Sequence, residues 1–337
     1  MASSTSGSEP GQGQPAGRPS GRVVRAPGAK ASLAGAAPGK VPAAAGGSVI
    51  RVPYSAAAGA AAGVGPTGRP TPRWPEPAPL RRHGPARIIA MCNQKGGVGK
   101  TTSTINLGAA LVEAGRKVLL IDLDPQGALS VGLGIPSQQL DRTVYNALME
   151  RNTTLADVRL HTRVPGLDLV PSNIDLSAAE VQLVSEVARE QTLMRVLASV
   201  RDEYDYVLID CQPSLGLLTV NALTAAQGVI IPLECEFFSL RGVALLVDTI
   251  DKVKERLNPS LVISGILATM YDSRTVHCRE VFSRVVEAFD DVVFQTVIQR
   301  TVRFPETTVA GQPITTWAPT SSGASAYRDL AKEVLAL

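Results

Sequence analysis

RIIAMCNQKGGVGKTT, residues 87–102, passes from a β-branched apolar run through a glycine-rich turn into the start of a helical pattern. Glycines in such a turn let successive backbone N–H groups point inward around phosphate oxygens, and the following helix adds the positive end of its dipole. Gly96, Gly97, Val98 and Gly99 would form that cradle, Lys100 would lie against the β- and γ-phosphates, and the Thr101 hydroxyl would ligate magnesium. The usual spacing puts a glycine six residues before the lysine; here that place is Gln94, and a second lysine, Lys95, stands inside the loop.

Outward from the loop, two apolar runs end in carboxylates. Val118-Leu119-Leu120-Ile121 leads to Asp122 and Asp124, which point the same way when the segment is extended, at the edge where open α/β sheets bind ligands. Tyr206-Val207-Leu208-Ile209 leads to Asp210, the form of a magnesium-site aspartate beside a phosphate loop.

Further strand candidates are 167–170, 229–232, 262–269 and 292–298; helical patterns fall at 100–114, 144–151, 175–184, 191–201, 215–226, 240–257, 276–288 and 324–335. Continuous apolar strands alternating with amphipathic helices predict an α/β fold, a mostly parallel twisted sheet with helices on both faces.

At 337 residues and 45% hydrophobic content the chain can bury a large core without staples. Its four cysteines include no C-x-x-C pair, which argues for a reducing cytoplasm and against a disulfide framework or a cysteine zinc site. No apolar run is long enough to span a bilayer. Charge is unevenly divided: residues 1–84 hold ten lysines and arginines against Glu9 and Glu76, a balance of +8, so the rest carries −5 of the net +3. That Ala/Gly/Pro-rich tail lacks any periodicity and is expected to be disordered, leaving 85–337 as the folded domain. A basic tail suits a polyanion or a solubilising linker.

The chain resembles the ParA/MinD ATPases of the deviant Walker A type, and among them the chromosomal, Soj-like ParA proteins. The resemblance rests on Lys95 through Thr102, on Asp122-Leu123-Asp124-Pro125-Gln126-Gly127, on Ile209-Asp210-Cys211-Gln212-Pro213-Ser214-Leu215-Gly216, and on stretches 269–275 and 300–303. It covers 86 to the C-terminus. It implies an ATP hydrolase in which residues Lys95 through Thr102 bind ATP and Thr101, Asp122 and Asp210 hold magnesium. Lys95 would reach across an ATP-sandwich homodimer, Lys100 and Asp124 would serve the chemistry, Asp124 by positioning the attacking water, and Gly96 would permit close approach of subunits. Arg274 and Arg303 match arginines that bind DNA non-specifically in the ATP state, on the nucleoid, and a ParB-like protein with a basic N-terminal segment would be the partner in chromosome or plasmid segregation. Gln212 stands where many relatives have proline.

The basic residues Arg279, Arg284 and Arg300 lie near the two DNA arginines, where a solvated face is the plain alternative. Other functions share the fold. A MinD-like membrane switch would end in an amphipathic helix with aromatic anchors, whereas 327–337 (YRDLAKEVLAL) has the pattern of a packing helix. An iron–sulfur protein would need better-placed cysteines, and an amide-forming ligase would need a small-molecule acceptor.

Overall fold

A computed structural model describes residues 63–236 and 239–337. In chain order the elements are β1 (Arg87–Met91), α1 (Lys100–Glu113), β2 (Val118–Leu123), α2 (Ala128–Gly132), α3 (Val144–Met149), α4 (Leu155–Val158), β3 (Leu160–His161), β4 (Leu167–Val170), α5 (Leu176–Gln182) and α6 (Thr192–Leu197). There follow β5 (Tyr206–Cys211), α7 (Leu217–Ala225), β6 (Gly228–Glu234), α8 (Ser239–Arg256), β7 (Val262–Thr269), α9 (Val276–Phe289), α10 (Arg303–Ala310), α11 (Ile314–Trp317) and α12 (Ser322–Leu335).

The strands form one sheet in the order β3-β4-β2-β5-β1-β6-β7, parallel except for the short β3 beside β4. Alternation along each strand divides the core in two. Ile88, Ala90, Leu119, Ile121, Val207 and Ile209 pack on one face with α3, α7, α8 and α9, and Ile89, Met91, Leu120, Tyr206 and Leu208 pack on the other with α1 and α12. Burial on both faces is why these strands are continuously apolar. In α12 the residues Tyr327, Leu330, Ala331 and Val334 are buried in the second core, with Tyr327 hydrogen-bonded to Ser103 of α1 at 3.1 Å, so this helix is packed as its pattern suggests. No helix among the described residues is long and apolar enough to cross a membrane.

Two expectations need correction. Residues 292–298 do not form a regular strand: they meet β7 through one bridge, Ile266 with Val293, and through the N–H groups of Phe294 and Ile298 on the carbonyls of Ile266 (3.0 Å) and Ala268 (2.8 Å). The buried Glu333 carboxylate of α12 takes the N–H groups of Gln295 (2.9 Å) and Thr296 (2.7 Å), which diverts that backbone from the ladder. The boundary near residue 84 also moves. Arg69 donates to the carbonyls of Asp290 (2.8 Å) and Val293, Thr67 bonds Gln295, Glu76 pairs with Lys332 (2.6 Å), and His83 bonds Asp205 (2.7 Å). Residues 63–84 are therefore a strap on the folded body, held by scattered polar anchors that have no period. The rest of the expected tail, residues 1–62, lies outside the described residues.

Candidate nucleotide-binding site

β1, β5 and β2 are neighbours, and their carboxyl ends meet in register: Met91 lies opposite Asp210, and Asp122 lies opposite Asp210 from the other side. The glycine-rich loop leaves β1 at this point. Gly97 and Gly99 have φ of 76° and 82°, a left-handed backbone that a side chain would strain, and a Cβ on Gly97 would meet nothing within 4 Å. The N-terminus of α1 has no side-chain cap, so its first N–H groups face the space inside the loop. This open, donor-lined cradle fits phosphate oxygens.

Around the cradle the residue types fit a magnesium nucleotide. Lys100 is buried, its ammonium 3.1 Å from the Lys95 carbonyl, and burial lowers its pKa, so a phosphate anion would restore the charge balance. The Thr101 hydroxyl donates to Asp210 Oδ2 at 2.7 Å, which puts a hydroxyl and a carboxylate oxygen together as a hard cation requires. Burial pushes the Asp210 carboxyl up to about 7. It pushes Asp122 up to about 8, helped by the charge of Asp210. Asp122 is also held from α2, by the Ser130 N–H (2.9 Å) and hydroxyl (2.7 Å) on its Oδ2, so it ties α2 to the site while Asp210 is freer to ligate. Asp124 is half-buried at the mouth, its Oδ1 taking the Gln126 N–H at 3.0 Å.

Lys95 points out of the loop. Its ammonium is held by Glu234 (3.0 Å) at the end of β6 and by Glu236, two carboxylates that sequence reasoning did not single out. Arg300 joins Glu234 from another segment at 3.0 Å. Glu234 ends a buried strand and Glu236 follows it, and a charge placed at a strand's carboxyl end is the signal that could have found them. Also missed is a cavity of about 360 Å³ beside the loop, lined by Gly99, Thr102, Met270, Gln299, Phe304 and Thr308 among others.

The two DNA-candidate arginines are exposed on separate elements. Arg274, in the loop between β7 and α9, forks onto Asp272 with both contacts at 2.9 Å, and Asp272 is correspondingly held at about 2. Arg303 opens α10 and pairs with Glu306 at 2.9 Å. Arg279 donates to the Ser273 carbonyl at 2.6 Å, which braces the same loop. At its far end α10 stops at Gly311, whose backbone lies on that of Gly134 just after α2: a Cβ on Gly311 would stand 2.6 Å from Gly134 Cα.

A family model described as an AAA domain, AAA_31, matches residues 86–263. An uncharacterized protein of Mycobacterium tuberculosis is 70% identical over 273 residues, 81% of this chain and 86% of that one. The sporulation initiation inhibitor protein Soj of Bacillus subtilis is 47% identical over 250 residues, 74% of this chain and 98% of that one. Among solved structures, a Mycobacterium smegmatis protein described as cobyrinic acid a,c-diamide synthase, crystallised with an ATP analog and magnesium, is 42% identical with a TM-score of 0.67, covering 74% of this chain and 94% of that one.

Proposed function

Since the chain belongs to the ParA/MinD-type ATPases, we propose that it binds and hydrolyses magnesium-ATP, dimerises in the ATP state, and in that state holds DNA non-specifically. The observation that carries this reading is the convergence of Lys100, the Thr101–Asp210 pair and Asp124 at the joined ends of β1, β5 and β2. The ATPase domain would be residues 85–337 with the strap 63–84 bound to it, and residues 95–102 would lie around the phosphates. The cavity beside Gly99 and Thr102 takes the nucleoside end.

Bound magnesium neutralises charge on the phosphate oxygens; Thr101 and Asp210 would hold it, with Asp122 behind them. Lys100 stabilises charge on the terminal phosphates as it shifts toward the leaving oxygen. Asp124, at the mouth of the site, orients the attacking water. Lys95 leaves Glu234 and Glu236 to complete a partner subunit's site, so that assembly of the catalytic groups waits on dimerisation. Arg274 and Arg303 then supply the phosphate contacts to DNA, giving affinity without sequence reading. A ParB-like partner would stimulate turnover, and the setting would be the nucleoid in the cytoplasm.

DNA retention across a salt series, with and without ATP, tests the reading. Wild type should bind only with ATP, and Arg274→Glu/Arg303→Glu should lose that binding while still dimerising. Asp124→Ala should keep nucleotide affinity, lose turnover by about 100-fold, and accumulate on DNA. DNA binding that ignores ATP, or a double mutant that binds normally, overturns it.

The solved relative described as an amide-forming synthase supports a second reading, ATP-driven activation of a carboxylic acid. That reading requires turnover that depends on an acid and an amine acceptor and is indifferent to DNA.

A further inference from the structure

The segment 174–187, made of helix α5 and the turns on either side of it, has apolar residues both buried and exposed. Leu176, Ala179 and Leu183 are buried in the core, while Ile174, Val181, Val184 and Val187 are 57, 75, 59 and 87% exposed. With the exposed Ala178 they form a cluster of exposed apolar side chains within one short stretch of chain. A run of exposed valines is a surface that water covers poorly. Its rim is acidic: Asp175, Glu180, Glu186 and Glu190 stand against one arginine, Arg189, which is held by Glu190 (3.0 Å) and the Val184 carbonyl (2.7 Å).

We propose that this surface docks a short cationic segment, studded with apolar side chains, from a partner protein. The inference rests on the partner-stimulated ATPase described above and deepens it by giving the partner a place. Charge decides among occupants. DNA and anionic membranes are repelled by the rim, and a second copy seated on the same stripe would bring like carboxylates together. A basic segment meets the rim with opposite charge and covers the valines.

The surface is wired to the chemistry. Glu180 Oε1 accepts from Gln212 Nε2 at 2.7 Å, and a Cβ on Gly216 would lie 2.4 Å from that same oxygen, so the glutamate is wedged into the loop after β5. Gln212 comes two residues after Asp210, and Pro213 next to it borders the phosphate loop, 4.0 Å from where a Cβ on Gly96 would stand. A segment docked on α5 that draws on Glu180 therefore moves the loop facing the phosphates. Gln212, the departure from the family's proline, is the residue that makes this link, and it acts as a positioning residue.

The probes are a full-length ParB-like protein from the same organism and a fluorescent synthetic peptide of its basic N-terminal segment. Against wild-type protein with ATP, Val181→Asp/Val187→Asp should weaken peptide binding by at least about tenfold, with basal ATPase and ATP-dependent dimerisation within about twofold, since both valines face solvent. Gln212→Ala should bind the peptide as wild type does but lose most of the stimulation, a split that a merely structural role would not produce. Stimulation of Gln212→Ala equal to wild type overturns the link. Unchanged peptide affinity in the valine double mutant overturns the surface, and loss of its dimerisation assigns the stripe to a second copy instead. If the wild-type protein neither binds nor responds to either probe, the partner reading itself falls and takes this inference with it.

Discussion

Asp210 and Asp122 set how the nucleotide-free protein responds to pH. Both carboxyls are raised by burial, to about 7 and about 8, far above an unfolded aspartate. The folded chain then holds protons that the unfolded chain has released, so this contribution to stability is complete at acid pH and is lost as pH rises through the folded values. Thermal melts of the nucleotide-free, metal-free protein should show stability falling from about pH 4 upward and levelling off above about pH 8, by an amount on the order of several kcal/mol, and Asp210→Asn should flatten the slope. A flat profile in the wild type would mean that neither carboxyl is raised. Much of this was legible in the sequence: apolar strands ending in aspartate beside a glycine-lysine turn fix which edge carries the charge. The tie from Ser130 was not, because a serine on a short helix eight residues later carries no pattern that points back to Asp122.

At the scale of elements, β6 delivers Glu234 and Glu236 to Lys95, and so holds on its own chain the lysine proposed to serve another. Freeing that lysine should ease assembly. Glu234→Gln/Glu236→Gln should dimerise with ATP at a several-fold lower protein concentration, a modest change because such partly exposed pairs are worth about 0.2–1 kcal/mol each. Light scattering across a concentration series reads it, and an unchanged or higher midpoint would show that the two glutamates do not restrain Lys95. The elements that carry the ATP site follow the predicted ones closely, since strand and helix periods dominate there. Failures cluster at 292–310. The apolar stretch 292–298 reads as a strand until the Glu333 carboxylate, distant in sequence, claims its N–H groups. Helix α10 was missed because Pro305 and two threonines obscure a helical period, although proline is tolerated in a first turn.

For the whole molecule, the strap of residues 63–84 is what composition could not reveal, since a few anchors such as Arg69, Glu76 and His83 outweigh a Pro/Gly background. Removing residues 1–62 should leave the melting temperature within about a degree, whereas removing 1–84 should lower it by several degrees as those anchors are lost. Equal melting of the two truncations would mean that the strap contributes nothing. Between the proposed magnesium position and Arg303, one of the two arginines proposed to hold DNA, the backbones of Gly134 and Gly311 meet. Ser130 grips Asp122 from α2, and α2 leans through Gly134 on the end of the helix that Arg303 begins. Backbone resting on backbone has no rotamers with which to absorb a push, so a shift of α2 would have to be taken up by the start of the segment after α10. Where the Asp122 side of the site and the end of α10 touch, the contact is made by two residues with no side chains at all, so a side chain at either would push the two apart.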